Sequence, residues 1–372
     1  MNRAYGILPC YTGDVSGVCS ALYELGGMVV IHDPSGCNST YNTHDETRWY
    51  SQDSLIFISG LSEMDAILGS DEKLVREISE AALSLSPRFI ALASSPIPYL
   101  SGQDMPALGR LIEKNTGIPT FFVPTNGMHD YVCGAGEALG AIAERIPEGK
   151  TERRPRSLNI LGMTPLDFAP GSSAALKGKI RALGWDVIGC WAMESPMEDL
   201  QGAGEAQVNL VVSALGLPAA RVLRQRFGTP FVAGIPVDGL EAEIGKALEA
   251  AADTGEDQFP CALRPQSGPE LTLIGEPVTM GSLAAAISRK HGKAVRLLCP
   301  VEAEEMLLAP GDRMVRGEEE IMEALRETKL LVADPFYERI CPAGVTLSPL
   351  PHQAFSGRNG WKTRRNLFTL EI

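Results

Sequence analysis

Eight cysteines punctuate this 372-residue chain, and two of them stand where a thiolate could meet a ligand. Cys10 follows Leu8-Pro9 and precedes a Gly-rich turn, while Cys37 closes Asp33-Pro34-Ser35-Gly36 just beyond a strand-like run. Cysteines buried for packing prefer strand and helix interiors with apolar neighbours, the setting of Cys190 and Cys299. The loop pair Cys10/Cys37 is open to two readings, structural thiols or metal-ligating thiolates. Cys19 shares the apolar face of a helical stretch over 15–25 with Val15, Val18 and Leu22, which favours a core position. Cys133 stands beside Gly134 at a loop–helix junction, where a helix N-terminus can lower a thiol pKa, and it is a reserve ligand. Cys261 and Cys341 each adjoin a proline and have no partner at useful spacing. The chain contains no CxxC, CxxH or HExxH, and its five histidines lie far apart. A zinc ribbon or a ferredoxin-type run is thereby excluded.

Three further groups of residues could contact a small molecule. His352 and Arg358 flank a loop near the C-terminal end; an imidazole and a guanidinium there could hold an acidic substrate group, or His352 could simply order the loop. His44-Asp45-Glu46 with Arg48-Trp49-Tyr50 could line a pocket or shape a docking surface, against the blander reading of a solvated helix start. Gly134-Ala135-Gly136 is followed by a third glycine at Gly140, one place late for a dinucleotide fingerprint. A turn that starts a helix explains it as well. A phosphate-binding P-loop is absent.

The elements that must position these residues repeat one grammar: a short apolar run ending in Gly, Pro or Ser, a helical stretch, and a second apolar run. That is the βαβ pattern. In the first third, strands are predicted at Met28–His32, Ser54–Ile58, Phe89–Ala93 and Thr120–Val123, with helices at Val15–Leu25, Asp71–Leu85, Met105–Lys114 and Ala135–Ile146. Two later copies of the unit begin at Leu158-Asn159-Ile160-Leu161-Gly162 and Leu271-Thr272-Leu273-Ile274-Gly275. Gln207–Ser213 and Lys329–Ala333 read as buried strands, and Glu318–Glu327 as a helix. Pro147–Ser157, charged and lacking apolar residues, reads as a linker, and the proline-bearing 254–268 as a second boundary. The expected fold is therefore α/β, with three Rossmann-like doubly wound parallel-sheet domains around a central cleft. Their expected spans are 1–150, 157–255 and 268–372, with ligands at the carboxyl ends of the strands.

Composition narrows the class. With 44% apolar and 21% charged residues the chain is globular rather than disordered or fibrous. A net charge of −13 opposes a phosphate backbone, so no nucleic-acid partner is expected. No apolar run reaches the roughly 18 residues of a membrane helix. No secretory leader follows Met1-Asn2-Arg3-Ala4, and the sparse cysteines fit a reducing compartment. Cytoplasmic localisation without membrane association is expected.

The ordered motifs resemble a known family. Pro9-Cys10-Tyr11-Thr12-Gly13 through Gly17-Val18-Cys19-Ser20-Ala21-Leu22, then Val29 to Cys37, is similar to the opening of nitrogenase component 1 chains. Leu61 to Gly69 with Glu72-Lys73-Leu74, Ser95-Pro96-Ile97 with Gly102-Gln103-Asp104, Ala206 to Val211, Arg226 to Pro230, and His352 to Arg358 resemble later blocks in the same order. The resemblance implies that Cys10 and Cys37 hold an iron–sulfur cluster of the 4Fe–4S type. It places Ser95 where the family often has a third cluster cysteine. One chain then offers two thiolates for a group that takes four protein ligands, so sharing between two chains is the simplest arrangement, with Ser95 as a third ligand and one group from a partner as the alternative.

Two other departures bear on activity. Where the catalytic nitrogenase chain anchors its molybdenum–iron cofactor by a cysteine this chain has Ser213, and the histidine expected after Ser356-Gly357 is missing from Arg358-Asn359-Gly360-Trp361. No molybdenum cofactor and no dinitrogen reduction are expected. The resemblance thus implies a nitrogenase-like oxidoreductase component, as a homodimer or as a heterodimer with a related chain. Electrons would come from an ATP-dependent iron–sulfur reductase of the nitrogenase iron-protein kind and pass to a small-molecule substrate. The alternative is a non-catalytic scaffold for cluster or cofactor assembly. Neither reading names a catalytic residue.

Overall fold

A computed structural model describes residues 6–36, 46–69, 71–149, 152–194, 196–264, 268–352, 354–355 and 364–372. The first unit runs α1 (Asp14–Leu22), β1 (Met28–His32), β2 (Leu55–Ile58), α2 (Glu63–Leu68), α3 (Asp71–Leu85), β3 (Ile90–Ser94), α4 (Pro96–Leu100), α5 (Met105–Thr116), β4 (Thr120–Val123) and α6 (Tyr131–Arg145). The second runs β5 (Arg154–Leu161), α7 (Ser172–Ala182), β6 (Asp186–Cys190), α8 (Met197–Gln201), β7 (Ala206–Val211), α9 (Leu217–Phe227), β8 (Phe231–Ala233) and α10 (Glu241–Thr254). The third comprises β9 (Leu271–Ile274), α11 (Pro277–His291), β10 (Val295–Cys299), β11 (Arg313–Met314), α12 (Gly317–Ala324), β12 (Leu330–Ala333) and β13 (Thr346–Pro349). No described helix is long and apolar enough to cross a membrane.

The strands form three parallel sheets, ordered β2-β1-β3-β4, β6-β5-β7-β8 and β11-β10-β9-β12-β13. The three-sheet Rossmann-like architecture expected from the repeated βαβ grammar is present. Unbroken apolar runs make β1 and β3 buried at every position, as parallel strands covered on both faces must be. In each sheet the chain first moves to one side of its opening strand and later crosses to the other. The crossings leave crevices outside the carboxyl ends of β1 and β3, of β5 and β7, and of β9 and β12, the places where open α/β sheets bind ligands.

Among the described residues, three apolar cores cross the unit boundaries. One joins Val18, Leu139 and Phe121 of the first unit to Leu161, Leu217 and Leu223 of the second. Another joins Leu158 and Ile244 of the second to Leu273 and Leu283 of the third. The last joins Leu8 of the first unit to Leu298 and Ile321 of the third. The closest approach is between α1 and α6. A Cβ on Gly134 would lie 1.9 Å from the Asp14 carbonyl oxygen, and one on Gly17 would lie 2.3 Å from that of Tyr131. Backbone cannot yield there as a side chain can. Gly134→Ala is expected to lower stability by about 3 kcal/mol, the upper part of the overpacking range. Gly178→Ala, on the exposed side of α7 with open space around it, is expected to be neutral or stabilising. Urea unfolding of the two variants checks the contrast.

The structure corrects two readings of loops. The charged stretch 147–157 is not wholly a linker, because β5 begins at Arg154 and pairs with Ala206 before its register shifts ahead of Leu158. Its polar side chains stay outside: Arg154 pairs with Glu205 at 2.9 Å and Arg156 lies over the Trp185 ring. Within 254–268, Cys261 sits fully buried in the 3-10 turn Pro260–Ala262, against which Gly281 of α11 packs closely. A third correction concerns Arg48, which is not a solvated residue. Its guanidinium is buried, pairs with Glu24 and Glu46 at 2.8 Å, and donates to the carbonyls of Ser20 and Ala192. It fastens the first unit to the second. His44 and Asp45 lie outside the described residues.

Candidate functional site

The second and third crevices meet. Asp167 lies beyond the end of β5, and Ser213 follows β7 by two residues. A Cβ on Gly216 would lie 2.4 Å from the carbonyl oxygen of Leu161, so the glycine lets the turn after β7 close over the end of β5. That closure seats Ser213, whose hydroxyl donates to Asp167 Oδ2 at 2.6 Å. The Tyr131 hydroxyl of α6 donates to Asp167 Oδ1 at 2.6 Å, and His352 Nε2 lies 3.0 Å from the same oxygen. The backbone amide of His352 donates to Asp334 Oδ2 at 2.7 Å, just beyond β12. One carboxylate thus gathers groups from all three units. With Nε2–H donating to Asp167, His352 Nδ1 is a bare acceptor, buried and without a partner among the described residues.

Glu276 comes from the end of β9 and caps α11. Its carboxylate accepts from the amides of Ala214, Val278 and Thr279 at 2.6–3.0 Å, so it also fixes the residue after Ser213. Burial, followed by the nearby Asp167 charge, pushes its carboxyl up to about 7. Arg364 donates to the carbonyls of Pro165 and Phe168, and with His352 and Thr279 it borders a space of about 20 Å³, room for a single water.

The raised Glu276 pKa has a measurable consequence. A folded state that holds its proton more tightly than the unfolded chain loses stability as pH rises through the window between the two pKa values, here from 4.5 to about 7. Glu276→Gln carries no such proton. The wild-type advantage over this variant is expected to shrink across that window by on the order of 3 kcal/mol, read from urea melts at its two ends. A constant difference would show that Glu276 ionises normally.

The first crevice carries Ser95, which stands at the carboxyl end of β3, directly beside the end of β1, with its amide donating to the His32 carbonyl. Its side chain is fully buried and its hydroxyl has no partner among the described residues. Cys10 is exposed on a cleft of about 710 Å³ between the first and third units. The loop from Thr125 to Asp130 touches both regions. Thr125 Oγ1 bonds the Ser94 backbone, Gly127 abuts Pro96, and Gly13 bridges Asp130. Cys37 and Arg358 lie outside the described residues, so their geometry toward Ser95, Cys10 or His352 is not described. An exposed thiol on the cleft and an orphaned buried hydroxyl at the strand ends lie on either side of the 125–130 loop, and each offers a donor atom to a ligated group.

The remaining thiols divide by burial. Cys19, Cys190, Cys261 and Cys299 are fully buried, and burial raises the pKa of all four thiols. Cys133 corrects the expectation of a lowered thiol pKa. It is the third residue of α6, but burial and then Glu302 and Glu137 push it up to about 12, outweighing the helix end. Asp167, Tyr131 and Glu276 were not apparent as site residues from sequence. The available signal was a carboxylate just beyond a buried strand at a crossing point.

Three parallel sheets, with the crevices of the second and third meeting at the Asp167 junction, make up the three-unit fold. The family described as Nitrogenase component 1 type Oxidoreductase matches residues 16–253, and the chain belongs to it. It is 25% identical over 271 residues to the nitrogenase iron-molybdenum cofactor biosynthesis protein NifE of Clostridium pasteurianum, covering 68% of this chain and 58% of the relative. To the nitrogenase molybdenum-iron protein alpha chain of the same organism it is 24% identical, covering 69% and 47%. To a light-independent protochlorophyllide reductase component of Prosthecochloris aestuarii it is 26% identical, covering 56% and 39%. The chain spans about half the length of the curated relatives it matches. A solved chain titled Nitrogenase Cp1 at pH 6.5 superposes with a TM-score of 0.68 at 15% identity, covering 97% of this chain and 92% of that one.

Proposed function

We propose that this chain is the substrate-holding component of a nitrogenase-like oxidoreductase, sharing an iron–sulfur cluster between two subunits. Residues 1–150 would carry the cluster ligands, with 157–255 and 268–372 closing the substrate cleft. The observation that carries the reading is the exposed Cys10 thiol on the cleft between the first and third units, joined through the 125–130 loop to the strand ends of the first crevice, where Ser95 is buried with no hydroxyl partner among the described residues. Cys10 and Cys37 from each of two chains would hold a 4Fe–4S cluster, and an ATP-dependent iron–sulfur reductase would supply it. Such a cluster takes up and releases single electrons.

The chain's own residues would govern protons. Reduction of an organic bond consumes protons as well as electrons, and the converging crevices hold groups suited to delivering them. Asp167 fixes the His352 ring through Nε2, leaving the buried Nδ1 as a free acceptor among the described residues. Glu276 retains its proton near neutrality, and His352 with Arg358 would hold an acidic substrate group. Ser213 commits its hydroxyl to Asp167, and a hydroxyl so engaged is a poor substitute for a thiolate. Molybdenum and dinitrogen reduction are therefore not expected.

A scaffold that holds a cluster or cofactor precursor is the second reading, favoured by the relatives named as cofactor biosynthesis proteins. Turnover separates the two. Supplied with ATP and an iron-protein-type reductase, a catalytic component consumes reductant continuously with substrate present. A scaffold consumes none beyond filling its cluster and gives up metal to an acceptor protein.

A further inference from the structure

The cleft beside Cys10 holds a second group of metal-ligating side chains, assembled from two units. His129 precedes α6, Cys133 lies in its first turn, and Glu302 follows β10 in the third unit. The imidazole, thiol and carboxylate ligand atoms lie within 4.8 Å of one another, with His129 Nδ1 3.0 Å from Glu302 Oε2. Around a tetrahedral ion with metal–ligand distances of about 2.0–2.3 Å, ligand atoms stand roughly 3.4–3.8 Å apart. Small side-chain shifts would bring all three onto one ion.

The backbone holds them in place without any ion. Asp130, between His129 and α6, accepts from the Glu302 amide at 2.5 Å through Oδ2 and from the Val132 amide at 3.0 Å through Oδ1. The segment is fixed further by Gly13 against Asp130 and by the Asp14 amide donating to the His129 carbonyl. His129 and Glu302 line the 710 Å³ cleft, so a fourth coordination position would face the cleft.

We propose that His129, Cys133 and Glu302 form a mononuclear site for a divalent transition ion of the zinc or ferrous class, linking the first unit to the third. One sulfur, one nitrogen and one oxygen donor disfavour calcium and magnesium, which take oxygen ligands. Thiolate and carboxylate together neutralise the dication. Three protein ligands with one open position are the arrangement of an ion that exchanges a bound molecule. The site shares no ligand with Cys10, Cys37 or Ser95, so it stands or falls apart from the cluster.

Cobalt(II) titration of the chelator-treated full chain tests the site, using a Cys10→Ser/Cys37→Ser background so that only other thiols report. The expected result is a thiolate-to-cobalt charge-transfer band saturating at about one ion per chain, displaced by zinc. Cys133→Ser should abolish the band. Glu302→Gln and His129→Gln, both at less buried positions, should each weaken cobalt binding roughly 10–100-fold while keeping the thiolate band at saturation. Absence of the band in the background protein, its survival in Cys133→Ser, or unchanged affinity in both Glu302→Gln and His129→Gln would overturn the assignment.

Discussion

Replacing Cys10 and Cys37 together by alanine is expected to remove the iron from anaerobically purified protein and to shift the dimer toward monomer. An iron–sulfur cluster of four irons normally takes four protein ligands, and two chains give two thiolates each. Losing one cysteine per chain leaves half the ligand set, so Cys37→Ala alone should already abolish the cluster. Ser95→Ala should leave iron content nearly unchanged, because four thiolates from two chains would already complete the ligand set, and a fully buried hydroxyl with no partner among the described residues loses no hydrogen bond on removal. If Ser95→Ala empties the site, serine is a true ligand and one subunit with a partner donating one group becomes the better arrangement. Iron retained in the double alanine variant would contradict the shared site.

Asp167→Ala is expected to cost about 3–5 kcal/mol, because it strands several buried donors at once. Tyr131 and Ser213 are fully buried, and both hydroxyls donate to this carboxylate at 2.6 Å. His352 loses its fixed orientation in the same step. Asp167→Asn keeps Oδ1 as an acceptor and the Ser213 hydroxyl can turn to accept from the new amide, so a loss of about 1–2 kcal/mol is expected. Because Tyr131, Asp167 with Ser213, and His352 belong to three different units, the alanine variant should also lower the cooperativity of unfolding. Equal losses in the two variants would mean that the carboxylate does not organise the junction.

The strands that could be read from sequence are those buried on both faces. Met28–His32 and Thr120–Val123 occupy the predicted positions, as does α3 over Asp71–Leu85, whose Leu74, Val75, Ile78 and Ala82 mark one buried face. Elements without such a pattern were missed. Strand β8 has only three residues between Pro230 and Gly234, and β13 is mostly exposed and ends in proline. The first residues of β5 are charged and exposed, so composition alone makes them look like a connection.

At the site, a candidate ligand role for Cys10 and Cys37 was legible because such a role depends on local spacing and on a resemblance carried by ordered motifs. The Asp167 junction was not, since its partners lie 36, 46 and 185 positions away in the chain. Cys133 illustrates the same limit. Its place near a helix N-terminus is visible locally, whereas Glu302, whose charge helps to raise its pKa, arrives from another unit.

The most direct test of the central claim is iron and acid-labile sulfide counted against subunit stoichiometry, on protein purified without oxygen and sized by light scattering. A cluster shared through Cys10 and Cys37 predicts about four irons for every two chains, with the iron eluting only with the dimer. Iron-free dimer, or about four irons on a monomeric chain, would contradict it.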